Sequence, residues 1–334
     1  MRFLLLFLFA SLPPLARKPP LTPFHIRGFA QGTSYQITYY AEDSLISKAQ
    51  VAYIFAQLDS SLSLYKPYSL ISQFNRSENG LPVDRHLSKV VRKAQQVSEK
   101  TVGTFDITVA PLVQAWGFGA SPPATGLPDS VAIKALLACV GTDKIRLRHG
   151  YLHKDKPCVR IDVNGIAQGY TVDVLAGLLE QRGIQNYLVE VGGEVRVKGT
   201  KQPGGQPMAI GIEGPASGSP DDPYPIRKII RLSKGAVTTS GNYRKFYQSG
   251  NQRISHLIDP KTGYPLKNEL ISVTVWAKDA MTADAYDNAL MGMGLEKALR
   301  FASRQHSLEA YFIYQTPNGS VADTATSGFY RLMQ

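Results

Sequence analysis

Two cysteines, Cys139 and Cys158, are all that the 334 residues contain. That is too few for a disulfide-built scaffold or a cysteine-based zinc site. Cys139 lies in the apolar helical stretch 133–140, where a buried thiol is expected. A single bridge to Cys158 stays open in an exported chain. Long apolar runs are also missing. The one at the start, from Phe3 to Ala10, is too short to span a bilayer and is followed by Pro13 and Pro14. No dense basic run with interleaved aromatics occurs, although 37 Lys+Arg against 26 Asp+Glu leave a net charge of +11. Scattered cations of this kind argue against nucleic acid as a partner and suit a phosphate-rich ligand or a membrane surface. Internal repeats and a Ser-His-Asp arrangement are absent as well.

Met1-Arg2, the short apolar run and Ser11 to Ala16 resemble a secretory signal, so residues 1–16 are expected to be a leader and 17–334 one domain. With no cysteine nearby, lipoprotein anchoring is unsupported, and the chain is expected to be membrane-associated at most, attached to the inner membrane if the leader is kept as an anchor. Residues 33–40 alternate polar and apolar and are rich in Thr, Tyr and Ile, which predicts a strand. A helix is predicted over 44–58, with Leu45, Ala49, Ala52 and Phe55 recurring at helical spacing. A second is predicted behind Ser88 as its cap, with Val90, Ala94 and Val97 inward, and a third over 129–140 ending at Gly141. Further helices are expected over 167–181 and from Thr282 onward, with strands at 187–191, 208–212, 271–276 and finally 311–314. Residues 199–225, rich in Gly, Pro, Ser and Asp, predict loops around the 208–212 strand. Strands and helices mix without regular alternation. The expected class is α+β, with mixed, largely antiparallel sheets packed against helices.

Three segments carry candidate chemistry. Arg160 to Asp173 runs from a strand through Gly165 into a helix, whose first N–H groups could receive phosphate oxygens. Asp284 and Asn288, one helical turn apart, share a face, and Asp287 sits beside them near a helix start. Hard oxygen groups of this kind suit Mg²⁺, which takes one or two carboxylates and shares its remaining positions with water and phosphates. Helix capping by Thr282 or Asp284 is the structural alternative. His256 precedes Asp259-Pro260-Lys261-Thr262-Gly263, a turn signal that would hold it at a strand end, as a general base or a phosphate partner or simply as a surface residue. The stretch from Gly235 to Tyr243 offers hydroxyls and glycines and reads equally as a loop. Tyr65, in a polar and aromatic stretch reaching Asn75, could stack on a flat ring or pack on the core.

Taken in order, Gly32-Thr33, Ser63-x-Tyr65 to Asn75, Phe105-Asp106-x-Thr108, Asp162 to Asp173, Glu190-x-Gly192-Gly193-Glu194, Thr239-Ser240-Gly241, His256 to Gly263 and Thr282-Ala283-Asp284 resemble the FAD:protein FMN transferase (ApbE) family over about residues 27–315. The resemblance implies FAD as flavin donor, Mg²⁺ as cofactor, a target hydroxyl and AMP as product. By motif position, Gln31, Tyr65, Thr104, Phe105, Asp106, Asp162, Gln168 and Ile258 would contact FAD. The Gly165 carbonyl, Asp284, Asp287 and Asn288 would hold the metal, with Asp284 and His256 acting in catalysis. Expected partners are flavin-carrying subunits of membrane redox complexes, of the Na⁺-pumping NADH:quinone reductase or Rnf type, in the periplasm. Family members commonly carry Met at position 31, Lys at 168 and Thr at 288. A hydrolase splitting FAD into FMN and AMP, or a non-catalytic flavin binder, are the alternatives.

Overall fold

The computed structural model describes residues 20–120, 126–215, 224–243, 246–249 and 252–333. The leader expected at 1–16 and part of the 199–225 loops lie outside them. Eight strands form one sheet: β1 (Thr22–Ala30), β2 (Thr33–Ala41), β3 (Asn186–Val191), β4 (Glu194–Lys198), β5 (Lys234–Gly241), β6 (Leu270–Ala277), β7 (Leu308–Gln315) and β8 (Val321–Ala325). Their order in the sheet is their order in the chain, and every neighbouring pair is antiparallel. The expected α+β class is what the chain adopts.

The sheet has two covered faces because its strands alternate. Along β4, Val195 and Val197 turn to a core shared with the Met208–Glu213 and Ile226–Leu232 hairpin and with Phe329, while Arg196 between them faces the helices. The other face carries α3 (Ala167–Gln181) and α4 (Ala280–Met293), with α1 (Lys48–Leu62) and α2 (Arg85–Lys100) outside them. The stretch around Gly235, readable as strand or loop, is β5, one of the two central strands. A strand and a helix, Ser327–Leu332, follow the one expected to be last.

Several predicted boundaries move for local reasons. α1 starts at a capping box in which the Gln50 amide donates to Ser47 Oγ and the Ser47 amide to Gln50 Oε1. Its inward set is therefore Val51, Phe55, Leu58 and Leu62, and Leu45 is exposed, as are Ala49 and Ala52. Asp84, rather than Ser88, caps α2, accepting from the Leu87 amide at 2.8 Å. The third predicted helix spans only Ser130–Leu137, and Gly141 (φ 140°) opens a 3₁₀ turn instead of closing it. α4 is capped by Asp279, so neither Thr282 nor Asp284 is its cap, and Asp287 lies beyond its first turn. Cys139 is bonded to Cys158, which corrects the expected free thiol. Among the described residues, no helix is long and apolar enough to cross a membrane.

Candidate active site

The segment before α3 is fixed from both sides. Asn75 pairs with the Ile161 backbone as a strand would, donating to its carbonyl at 2.9 Å and accepting from its amide at 2.8 Å. The Asp162 amide donates to the Ile107 carbonyl at 2.7 Å. Asp162 Oδ1 accepts from the Asn164 amide, an Asx turn that directs the chain through Gly165 into the helix. Beneath it, the buried Lys154 ammonium donates to the carbonyls of Phe74, Pro157 and Val159. Burial, then repulsion from Arg160, lowers its pKa to about 8.

Several amides at the start of α3 are already used within the protein. Those of Ile166 and Ala167 donate to the Val163 carbonyl and that of Tyr170 to Ile166, while the Gly169 amide donates to Asp284 Oδ2 at 2.8 Å. A negative group does meet the helix start, but it belongs to the protein.

Asp284 and Asp287 are 3% and 1% exposed. Burial first, and then the neighbouring carboxylates, hold both well above the usual carboxylate range. Asn288 completes the cluster. Its Nδ2 lies 2.9 Å from Asp287 Oδ1, 3.0 Å from the Asp284 carbonyl and 3.4 Å from the Gly165 carbonyl, and its Oδ1 accepts from Ser240 Oγ at 3.3 Å. An amide N–H donor thus points at three oxygens from two elements. Two dry carboxylates, with the Asp284 and Gly165 carbonyls gathered on the same Asn288 amide, make an oxygen-rich cluster that suits a hard divalent cation, toward which Asn288 would present Oδ1 by turning its amide over. Among the described residues no three His, Cys, Asp or Glu side chains gather round one point, so a cation here would draw its remaining protein ligands from backbone carbonyl and side-chain amide groups.

In front of this cluster lies a cleft in two compartments. One, of about 190 Å³, is lined by Thr104, Phe105, Asp106, Asp162, Gly165, His256, Ile258 and Asn288, with Val109, Val113, Phe118, Leu257 and Leu266 giving it an apolar wall. The other, of about 540 Å³, is lined by Gln31, Asp59, Lys66, Gln168 and Thr171. Tyr65 and Asn164 border both, and Tyr65 is 65% exposed. The smaller compartment alone falls below the roughly 300–1,000 Å³ of small-molecule sites, and the two together fall within it.

All the sequence-predicted site residues border this cleft except Asp284 and Asp287, which lie buried behind Asn288. Asp106 is bound within the protein, its Oδ1 accepting from Thr108 and its Oδ2 from the Thr142 amide. Gln168 donates to the Val191 carbonyl at 2.9 Å, so it turns to the β3–β4 hairpin. His256 follows the strand Gln252–Ser255 and meets the Phe118 ring edge-on. The predicted turn behind it forms, with the Gly263 amide donating to the Asp259 carbonyl and Gly263 at φ 79°. Trp116 Nε1 donates to the Gly263 carbonyl at 2.7 Å, which anchors the turn. Lys261 reaches Thr104 Oγ1 at 3.4 Å. Sequence reasoning missed the apolar wall and Asn164. The wall is an ordinary hydrophobic pattern until the chain is folded.

Comparison with known proteins adds independent findings. The model of the ApbE family matches residues 31–312. An FAD:protein FMN transferase of Vibrio cholerae is 34% identical over 316 residues, covering 93% of this chain and 92% of the relative. Its Escherichia coli K12 counterpart of the same name is 35% identical over 297 residues, covering 86% and 83%. Among solved structures, the flavin transferase ApbE from Vibrio cholerae has a TM-score of 0.83 at 34% identity, covering 94% of this chain and 100% of its own. The apo flavinyl transferase ApbE of Pseudomonas stutzeri has a TM-score of 0.84 at 32% identity, covering 95% and 98%.

Proposed function

The chain belongs to the ApbE family and is an FAD:protein FMN transferase, and we propose that it modifies a Thr or Ser hydroxyl of an exported flavoprotein with the help of Mg²⁺. The observation that carries the metal-dependent reading is the buried carboxylate pair, Asp284 and Asp287, placed directly behind a cleft large enough for a dinucleotide.

In the reaction the acceptor oxygen bonds to the phosphorus on the FMN side of the pyrophosphate. The P–O bond to the adenylate breaks, AMP leaves with the electron pair, and the hydroxyl proton departs. Such phosphoryl transfer depends on positioning and charge neutralisation. Mg²⁺ bound by the Gly165 carbonyl, Asp284, Asp287 and Asn288 would neutralise charge on the pyrophosphate. Tyr65, which borders both compartments, would stack on a flat ring, with Asp162 and Phe105 in the lining of the smaller compartment. His256 opens into the compartment that Gly165 and Asn288 border, where it would orient the acceptor hydroxyl or take its proton. With Gln168 committed to Val191, the cations at the cleft are Lys66 and, beside Thr104, Lys261. The net charge of +11 adds a long-range attraction for the anionic donor.

The acceptors we propose are flavin-carrying subunits of membrane redox complexes, of the Na⁺-pumping NADH:quinone reductase or Rnf type. The leader-like residues 1–16 support export to the periplasm, where such subunits expose their modified hydroxyl. Chromatography of FAD incubations with Mg²⁺, with and without acceptor, tests the activity. AMP without free FMN, formed only when acceptor is present, is the expected outcome. Equal free FMN and AMP without acceptor would indicate a hydrolase, and neither product a flavin binder.

A further inference from the structure

We infer that Asp173, on α3 and outside the cleft lining, is a positioning residue that sets the geometry of the proposed metal ligands by clasping α3 to α4.

Its side chain is 9% exposed, and both carboxylate oxygens are used. Oδ1 accepts from the Ala280 amide at 3.0 Å and from Arg196 Nη1 at 2.7 Å, and Oδ2 accepts from the Met281 amide at 2.9 Å. Ala280 and Met281 are the first two residues of α4, whose own cap, Asp279, already serves the Thr282 and Ala283 amides through its side chain and carbonyl. Asp173 therefore completes the first turn of a helix more than 100 residues away in the chain. The traffic also runs the other way, since the α3 amide of Gly169 donates to Asp284 of α4. Each helix start is thus held by a carboxylate of the other, at contacts one turn apart. Gly169 lies at the crossing, where an added Cβ would sit 2.3 Å from the Ala280 carbonyl oxygen.

The proposed ligands come from these same two elements. Gly165 immediately precedes α3, and Asp284, Asp287 and Asn288 ride on α4. A slip of α4 along α3 would change every distance between the Gly165 carbonyl and the other three. Arg196 fixes Asp173 in turn, reaching from β4 to both Asp173 and Glu180, so the clasp is anchored to the sheet. Partners that orient metal ligands from outside commonly alter metal affinity by about 10–100-fold when removed.

This inference rests on the metal reading above, so its test includes Asp284→Ala as a separate arm. Mg²⁺ is titrated calorimetrically into the full chain and into Asp173→Asn, Asp173→Ala and Arg196→Gln, with hydrogen exchange at the Ala280 and Met281 amides measured in metal-free protein. Asp173→Asn is expected to speed exchange at both amides and to weaken Mg²⁺ binding by about tenfold or more. At saturating Mg²⁺ both its kcat and its KM for FAD should return to within about twofold of wild type, whereas general unfolding would lower the apparent kcat at any Mg²⁺ concentration. Arg196→Gln, which leaves both backbone bonds to Asp173 in place, should lose less affinity and serves if the Asp173 variants fail to fold. Wild-type Mg²⁺ affinity in Asp173→Asn, alongside loss of binding in Asp284→Ala, would overturn the clasp alone. Wild-type binding in Asp284→Ala would overturn the metal reading and the clasp with it.

Discussion

Gly169→Ala should destabilise the protein by about 1–3 kcal/mol although alanine is the better helix former by about 1 kcal/mol. The new Cβ would lie 2.3 Å from the Ala280 carbonyl oxygen, 2.7 Å from its carbon and 2.8 Å from Asp284 Cβ. Two of these atoms are backbone and the third is attached directly to it, so none can swing away, and the helices must separate. Separation lengthens the 2.8 Å bond from the Gly169 amide to Asp284, adding the loss of a charge-assisted hydrogen bond. Gly177, on the same helix, is the internal control, because nothing lies within 4 Å of its added Cβ. There the propensity gain acts alone, and Gly177→Ala should stabilise by up to about 1 kcal/mol. Thermal unfolding, at about 2–4 °C per kcal/mol for a chain somewhat smaller than this one, would show shifts of opposite sign. Equal shifts in the two variants, or a stabilised Gly169→Ala, would refute a close crossing at Gly169.

Other expectations concern the charges and the cleft. In metal-free protein the raised pKa values of Asp284 and Asp287, about 7 for Asp284, mean that the folded state keeps protons that the unfolded chain releases above about pH 4. Stability without metal should therefore fall as pH rises from about 4 to about 7, and Mg²⁺ should flatten that slope; melting temperatures in EDTA and in Mg²⁺ at pH 5 and pH 8 check it. Tyr65→Ala should raise the KM for FAD by about tenfold, consistent with a lost stack of about 1–1.5 kcal/mol, and Tyr65→Phe should recover most of it in steady-state kinetics. His256→Ala should lower kcat by about 10²-fold or more with KM for FAD little changed, and unaltered turnover would remove it from proton transfer. Replacing Cys139 and Cys158 by serine opens a link between residues 19 apart and should lower stability by about 3 kcal/mol in chemical denaturation.

Much of the scaffold was legible where a local signal and a packing signal agree. The α3 helix occupies the predicted span, closing before Gly183 at φ 76°, because its apolar residues recur at one period and a glycine ends it. The start of α2 was misplaced because Asp84 and Ser88, both good caps, lie four residues apart, and only the fold shows which one meets a free amide. The site residues were legible as an ordered set of motifs, whereas their spatial roles were not. No local pattern reveals that Asn75 pairs with Ile161, that Asp173 caps a helix from another part of the chain, or that Cys139 meets Cys158. Those contacts follow from sheet topology, which brings distant segments together. The hold of α4 on the start of α3 has the same origin. A glycine-containing strand–turn–helix signals available amides, and it takes α4 to supply the carboxylate that claims one of them.

The measurement that bears most directly on the proposed activity is the intact mass of a purified acceptor subunit after incubation with this protein and FAD, in Mg²⁺ and in EDTA. A mass gain of one FMN on a Thr or Ser, present in Mg²⁺ and absent in EDTA and with Asp284→Ala, is the predicted result. An unmodified acceptor in Mg²⁺, or equal modification by wild type in EDTA and by Asp284→Ala, would contradict metal-assisted flavin transfer at this site.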